Sequence, residues 1–316
     1  MNWNKIKNIF QERRLPYFIE HRLQYVINMT FFRLNRFLSG LSWIGLIPRR
    51  DYESVVITFK CGFHGQTGGV FAIASIANML AKRYRVEFVS YSSSYYNRVL
   101  SHQVRLVKRA NLDSNLFVCD VSCDHKFFEA LKRRHKKVLV SCHGFLNASH
   151  DLLPEYVERS LSYADVVHVV SAVQQDSFQL PKNKVVVIPN ATTKIHKMSS
   201  TRNAGCVGNL NLKSKNVQRS VEIVLQSDVE KIHLYSMDND YWHNPRVVLH
   251  RWESNKRRIY NSFDVLVFMS EIETFGLVVI EAMSAGIPCM LSDIPAFRQF
   301  KDAPGVVLIG GANCNT

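Results

Sequence analysis

From residue 55 onward the chain alternates between short apolar, β-branched runs and segments with apolar residues at helical spacing. "SVVITFKCGFHG" (54–65) reads as a buried strand running into a glycine-bearing loop. "GGVFAIASIANMLAKRY" (68–84) reads as a helix and "RVEFVSYS" (85–92) as the next strand. Further strands fall at 115–121, 137–144, 165–171 and 184–191, with helices over 125–135 and 154–163. Strands separated by helices imply a parallel sheet covered by helices on both faces.

After the polar, aperiodic stretch "TTKIHKMSSTRN" (192–203) the alternation restarts. Strands are expected at 204–210, 231–237, 246–250 and 264–270, and helices at 216–227 and 254–263. The chain of 316 residues therefore reads as α/β, with two Rossmann-like, doubly wound domains facing a central cleft. The expected boundaries are 1–50 for an N-terminal extension, 51–195 for the first domain and 196–316 for the second. Ligands of such sheets bind outside the carboxyl ends of the strands.

Hydrophobic residues at 47% and charged residues at 21% describe a globular protein and exclude a disordered one. The net charge of +14 favours polyanionic partners: nucleic acid, an anionic membrane face or phosphorylated substrates. Residues 1–50 interleave Trp3, Phe10, Phe31, Phe32 and Trp43 with Arg13, Arg14, Arg33, Arg36 and Arg49. No apolar run there approaches the roughly 18–20 residues that span a bilayer, and no small-residue cleavage site follows. The pattern fits amphipathic helices lying on an anionic membrane surface; the plainer alternative is a helical pair packed on the protein's own body. No nucleic-acid-binding motif accompanies the charge. The seven cysteines read as reduced thiols. The spacing of Cys119, Cys123 and His125 lacks a second ligand pair, so no metal is expected.

"SEIETFGLVVIEAMSAGIPCMLSD" (270–293) is the most patterned stretch. A strand ends at Ser270, and a helix is expected to begin at Thr274 as its cap and to stop at Gly286 and Pro288. The free N–H groups near Thr274, Phe275 and Gly276 would then form a diphosphate cradle. Gly276 would let the ligand approach the backbone. Helical rise would put Glu273 and Glu281 about 12 Å apart, too far to share a proton or a metal. Each carboxylate suits a vicinal diol, and a nucleotide sugar carries such diols at both ends. Glu281 lies within the apolar run "LVVIEAM", where an unpaired charge is costly.

"EIETFGLVVIEAMSAGIP" resembles the E-x7-E signature of retaining glycosyltransferases of the GT-B fold, specifically glycosyltransferase family 4. The resemblance implies that Glu273 lies by the donor sugar, that Glu281 binds the ribose, and that the amides of Phe275, Gly276 and Leu277 face the diphosphate. It runs along most of residues 55–300. "TGGV" (67–70) is similar to the family's glycine loop and implicates Gly68 and Gly69 in the donor and acceptor site. "VSCHGF" (140–145) implies that His143 faces the reacting sugar. "ADVVHVVS" and "VVVIPNA" fall at family landmarks. "VGNLNLKSKN" (207–216) is similar to the segment whose cations neutralise the diphosphate, implicating Lys215, with Lys213 as rival.

Three departures stand out. Asn209 stands where the family usually has Arg, Ala191 follows Asn190 in place of Gly, and the chain ends at Thr316, earlier than the resemblance implies. "DND" (238–240) reads as a polar loop rather than a metal motif. His250, Arg251 and Trp252 end a strand where a nucleotide base would lie. The expectation is transfer of a hexose from a nucleotide diphosphate sugar, with retention, to a glycan or lipid-linked acceptor in cell-envelope polysaccharide synthesis. His143 and Glu273 would be the catalytic pair, in a cytoplasmic protein peripheral to the inner face of the membrane. The alternatives are a non-catalytic nucleotide-sugar binder and an epimerase on the same fold.

Overall fold

A computed structural model describes residues 55–62, 68–90, 96, 99–144, 154–178, 180–236, 242–251, 253 and 255–310. The helices expected in residues 1–50, the tripeptide Asp238, Asn239 and Asp240, Trp252 and Cys314 lie outside these residues. The described residues divide into two compact units, 55–190 and 191–310.

The first unit runs β1 (Val56–Lys60), α1 (Gly68–Leu80), β2 (Arg85–Val89), β3 (Val104–Val107), β4 (Leu116–Asp120), α2 (His125–Arg133), β5 (Lys137–Ser141), α3 (Pro154–Ser162), β6 (Val166–Val169), α4 (Ala172–Ser177) and β7 (Val185–Val187). Its seven strands pair in parallel in the order β3-β2-β1-β4-β5-β6-β7. The two-residue period of a strand sends neighbours to opposite faces. Leu116, Val118 and Leu139 accordingly join Ile57, Phe59 and Phe88 on one face. Phe117, Cys119, Val138 and Val140 join Phe128, Leu131 and Val157 on the other. Each face is closed by helices, which is why the strands read as continuous apolar runs.

β3 escapes the sequence pattern. It is four residues long, stands at the sheet edge and carries Arg105, whose guanidinium lies 3.5 Å from Glu87 on β2. Short, charged edge strands are a common defence against unwanted pairing, and they leave little apolar periodicity to read.

The second unit runs β8 (Ala204–Val207), α5 (Val217–Leu225), β9 (Ile232–Tyr235), β10 (Val247–His250), α6 (Lys256–Asn261), β11 (Val265–Phe268), α7 (Leu277–Ser284), β12 (Cys289–Ser292), α8 (Pro295–Arg298) and β13 (Val306–Ile309). Its parallel sheet has the order β10-β9-β8-β11-β12-β13. β8 and β11 are neighbours from which the chain winds away in opposite directions, so the loops that follow them leave side by side. No helix among the described residues is long and apolar enough to cross a membrane. Their six cysteines are buried free thiols.

Candidate functional site

The loop after β8 and the loop after β11 are stitched together. A short 3-10 turn, Lys213–Lys215, follows β8. The Ser214 carbonyl accepts from Glu271 N at 2.7 Å and from Ser270 Oγ at 3.0 Å. Asn216, held at φ +43° as the turn gives way to α5, donates to Glu271 Oε1 at 2.9 Å. These bonds fix the backbone on either side of Lys215 and Glu273. The two side chains then meet at 2.5 Å, with 18% and 14% of their surfaces exposed. The Lys215 ammonium also lies 5.7 Å from the Phe268 ring. Lys213, the rival cation, is exposed at the surface.

The helix does not begin where the sequence suggests. Thr274 is not its cap: α7 starts at Leu277, and Gly276 occupies the cap position with φ +94° and ψ 67° and no side-chain hydrogen bond. The left-handed conformation breaks the helix path ahead of Leu277, and glycine takes it without a Cβ penalty. Thr274 and Phe275 therefore belong to the loop. Phe275 is buried edge-on against Phe300, and its carbonyl accepts from Gln299 at 3.3 Å. Helical rise spans only the four steps from Leu277 to Glu281, about 6 Å, so the 12 Å expectation for Glu273 and Glu281 does not apply. Among the described residues, no backbone acceptor serves the N–H groups of Gly276, Leu277 and Val278. They open at the positive end of the helix dipole.

Glu281 is seated by two residues that sequence reasoning missed. Lys256 Nζ lies 2.6 Å from Oε1, and the Tyr260 hydroxyl donates to Oε2 at 2.8 Å. Both come from α6, four residues apart and hence on one face. Asn255 caps that helix by accepting from Arg257 N at 3.0 Å. Tyr260 is fully buried, and burial, then the Glu281 charge, push its phenol well above the ordinary value. It therefore stays a donor. The i, i+4 spacing was the available signal, but only tertiary packing reveals that the face meets Glu281. Tyr260→Phe leaves one carboxylate oxygen without its buried donor. Nucleotide affinity, measured by calorimetry, is expected to fall about tenfold, matching the ~1.5 kcal/mol low end for hydrogen bonds to charged groups.

Asn209 is exposed, and its side chain makes no hydrogen bond among the described residues. Only its carbonyl is engaged, by Leu212 N at 3.3 Å. His250 does not stand open at the strand end. Its ring stacks on Tyr235 at 4.2 Å, and its Nε2 lies 2.8 Å from His233 Nδ1. Arg251 is exposed.

Gly68, Gly69 and His143 belong to the first unit. Gly68 and Gly69 form the opening turn of α1, the former exposed and the latter half-buried. His143 ends a hydrogen-bonded chain whose direction follows from its last member. The Ile188 carbonyl accepts only, so His168 Nε2, 3.0 Å away, donates to it. Burial lowers the His168 pKa and keeps its ring neutral, leaving Nδ1 as acceptor for the Ser141 hydroxyl at 2.8 Å. Ser141 Oγ in turn accepts from His143 Nε2 at 2.9 Å. Burial, then the neighbouring His168, depress His143 to about 3. It is a neutral hydrogen-bonding group at physiological pH, not a proton donor or acceptor of the general acid–base kind.

A stability consequence follows. The unfolded chain protonates these histidines near pH 6.5, whereas folding lowers both, His143 to about 3. Between those values the unfolded state holds more protons, so stability rises with pH and is lost as pH falls. Unfolding free energies from urea titrations between pH 6.5 and pH 5 are expected to drop at up to ~1.4 kcal/mol per pH unit for His143, with a contribution of the same sign from His168. His143→Gln removes its contribution and flattens the slope.

Residues 201–311 match the sequence family described as glycosyl transferases group 1. No curated protein matches the chain. Among solved structures, HepE of Anabaena in complex with UDP-glucose is similar with a TM-score of 0.67 and 14% identity, covering 82% of this chain and 86% of that one. The lipopolysaccharide outer core galactosyltransferase WaaB is similar with a TM-score of 0.60 and 16% identity, covering 82% and 87%. Sucrose-phosphate synthase of Thermosynechococcus elongatus gives 0.59 and 14%, covering 82% and 86%. The fold is GT-B. The family match spans the elements that hold Lys215, Glu273 and Glu281, and it leaves Gly68, Gly69 and His143 outside.

Proposed function

We propose that the protein transfers a hexose from a nucleoside diphosphate sugar to a hydroxyl of a glycan or lipid-linked acceptor, with retention at the anomeric carbon. The single observation that carries this reading is the joined pair of loops at β8 and β11. It sets a lysine, a glutamate and three open backbone N–H groups at one reversal point of a sheet in the stretch that matches group 1 glycosyltransferases.

In this mechanism the diphosphate rests on the N–H groups of Gly276, Leu277 and Val278, and Lys215 turns from Glu273 to meet it. Charge develops on the departing diphosphate, and fixed donors aimed at that charge lower the barrier. Glu273, released from the lysine, accepts hydroxyl protons of the sugar. Glu281 grips the ribose diol, held in register by Tyr260. No metal takes part, so a chelator is expected to leave turnover unchanged. WaaB, by its name, is a lipopolysaccharide outer core galactosyltransferase; that is the basis for an envelope-glycan acceptor here. Residues 1–50 would hold the protein on anionic membrane, and their deletion is expected to abolish flotation with anionic vesicles.

Asn209 favours one second reading, a nucleotide-sugar binder that does not transfer, because the cation expected there is absent. Incubation with UDP-hexoses and glycan acceptors separates the two. Release of UDP together with an α-linked product from an α-linked donor supports transfer with retention. Tight donor binding without release supports the binder, and an inverted linkage contradicts the mechanism.

A further inference from the structure

The first unit has its own reversal point. β1 and β4 are neighbours, and the chain winds away from them in opposite directions. Crevices at the carboxyl ends of such strands are where open α/β sheets take ligands. A cavity of about 650 Å3 lies there, lined from the end of β1, the loop after β4 and the faces of α2 and α3. That is the size of a small-molecule site.

Its walls are fixed. A Cβ on Gly62 would stand 2.1 Å from the Ser122 carbonyl oxygen, so only glycine lets the two strand-end loops close on each other. Cys123 Sγ donates to the Lys60 carbonyl at 3.1 Å, and the Tyr156 hydroxyl donates to the Cys123 carbonyl at 2.8 Å. His125 stacks on Tyr156 at 3.9 Å.

Its charge is unbalanced. Lys60, Lys126 and Arg159 line it against Asp124 and Glu129. Glu129 is ion-paired with Arg159, and Asp124 is turned to the α2 backbone. Asp124 Oδ1 accepts from Lys126 N at 2.7 Å as the cap of α2. Glu129 Oε1 accepts from Arg159 at 3.1 Å and from the Tyr163 hydroxyl at 3.2 Å. Among the described residues, neither Lys60 nor Lys126 has a carboxylate partner for its ammonium. The Lys60 ammonium is held 3.9 Å over the Phe127 ring. Two unneutralised ammonium groups from separate elements suit a dianionic group, and lysine binds phosphate as a point charge.

We propose that this cavity binds a phosphate group, borne by the acceptor; the cavity's affinity for phosphate stands on its own, and only its assignment to the acceptor rests on the transfer reading. The test uses the full chain with saturating UDP, whose own stabilisation reports separately on the donor site. Melting temperature is followed against inorganic phosphate, with chloride matching the ionic strength. Phosphate stabilises most proteins by exclusion from their surface, so the comparison is with the Lys60→Met/Lys126→Met double variant. The apparent phosphate affinity is expected to fall about tenfold or more in the variant, with the UDP shift unchanged as evidence that it is folded. Equal phosphate affinity in both proteins overturns the proposal. Melting shifts with monomeric dihexanoyl phosphatidic acid and with glycerol 3-phosphate then name the source, since neither presents a membrane surface to residues 1–50. A larger shift with the short-chain lipid, lost in the variant, assigns the group to a lipid-borne acceptor. Equal shifts with both, lost in the variant, assign it to a soluble phosphate monoester.

Discussion

Lys215→Met is expected to slow sugar transfer by roughly 100- to 1,000-fold, the usual cost of removing one fixed donor aimed at developing charge. The effect belongs mainly in kcat, because the lysine is needed most when the diphosphate departs. A second consequence is structural. Glu273 is only 14% exposed, and its partner at 2.5 Å would be gone. An unpaired, largely buried carboxylate costs about 1–3 kcal/mol of stability. Lys215→Arg keeps the charge on a different geometry and is expected to restore stability more fully than rate. Lys213→Met, on the exposed side of the same turn, is expected to change the rate less than threefold, in line with the small energies of exposed charges. Steady-state kinetics on the four proteins decide the matter. Equal losses at Lys213 and Lys215 would mean that overall charge, not the seated cation, drives the reaction.

Gly276→Ala is expected to cost the second unit both stability and nucleotide affinity. At φ +94° an L-residue is strained by about 1–2 kcal/mol. The new Cβ would also stand 2.8 Å from Phe297 Cε1 and 3.2 Å from Val279 Cγ2. Phe297 is fully buried and has nowhere to retreat, so overpacking adds about 1–3 kcal/mol. The sum, about 2–5 kcal/mol, is a large share of the 5–15 kcal/mol that holds a typical domain together. Gly286→Ala is the internal control. Its φ is +72° and no atom lies within 4 Å of the new Cβ, so only the backbone strain remains. Urea denaturation is expected to rank the two well apart. Relief of the clash would shift the N–H groups of Gly276 and Leu277, so nucleotide affinity measured well below the melting temperature is expected to fall at Gly276 and not at Gly286.

Much of this architecture was written in local pattern. The apolar runs of β4, β5, β8 and β11 are long enough, and flanked clearly enough by turns and helical spacing, to announce two parallel sheets. β3 was hidden because Arg105 interrupts four residues at an edge. Glu281 was legible as unusual because a charge in "LVVIEAM" needs a partner. Its partners, Lys256 and Tyr260, were not legible, since their helix face meets α7 only through the tertiary packing of two helices separated by β11. The false start of the helix at Thr274 has a similar cause. Threonine is a good cap by type, but the left-handed backbone of Gly276 places the helix start at Leu277, and Phe275 is buried in the loop against Phe300. The chain from His143 through Ser141 to His168 joins adjacent strands, β5 and β6, and no spacing along the sequence could have shown it.

The most direct measurement is a crystal structure with UDP bound to the full chain. The account predicts diphosphate oxygens within hydrogen-bond distance of the Gly276, Leu277 and Val278 amides and of Lys215 Nζ, with the ribose hydroxyls on Glu281. A nucleotide lying anywhere else, or a diphosphate that leaves the Lys215–Glu273 contact intact, would contradict it.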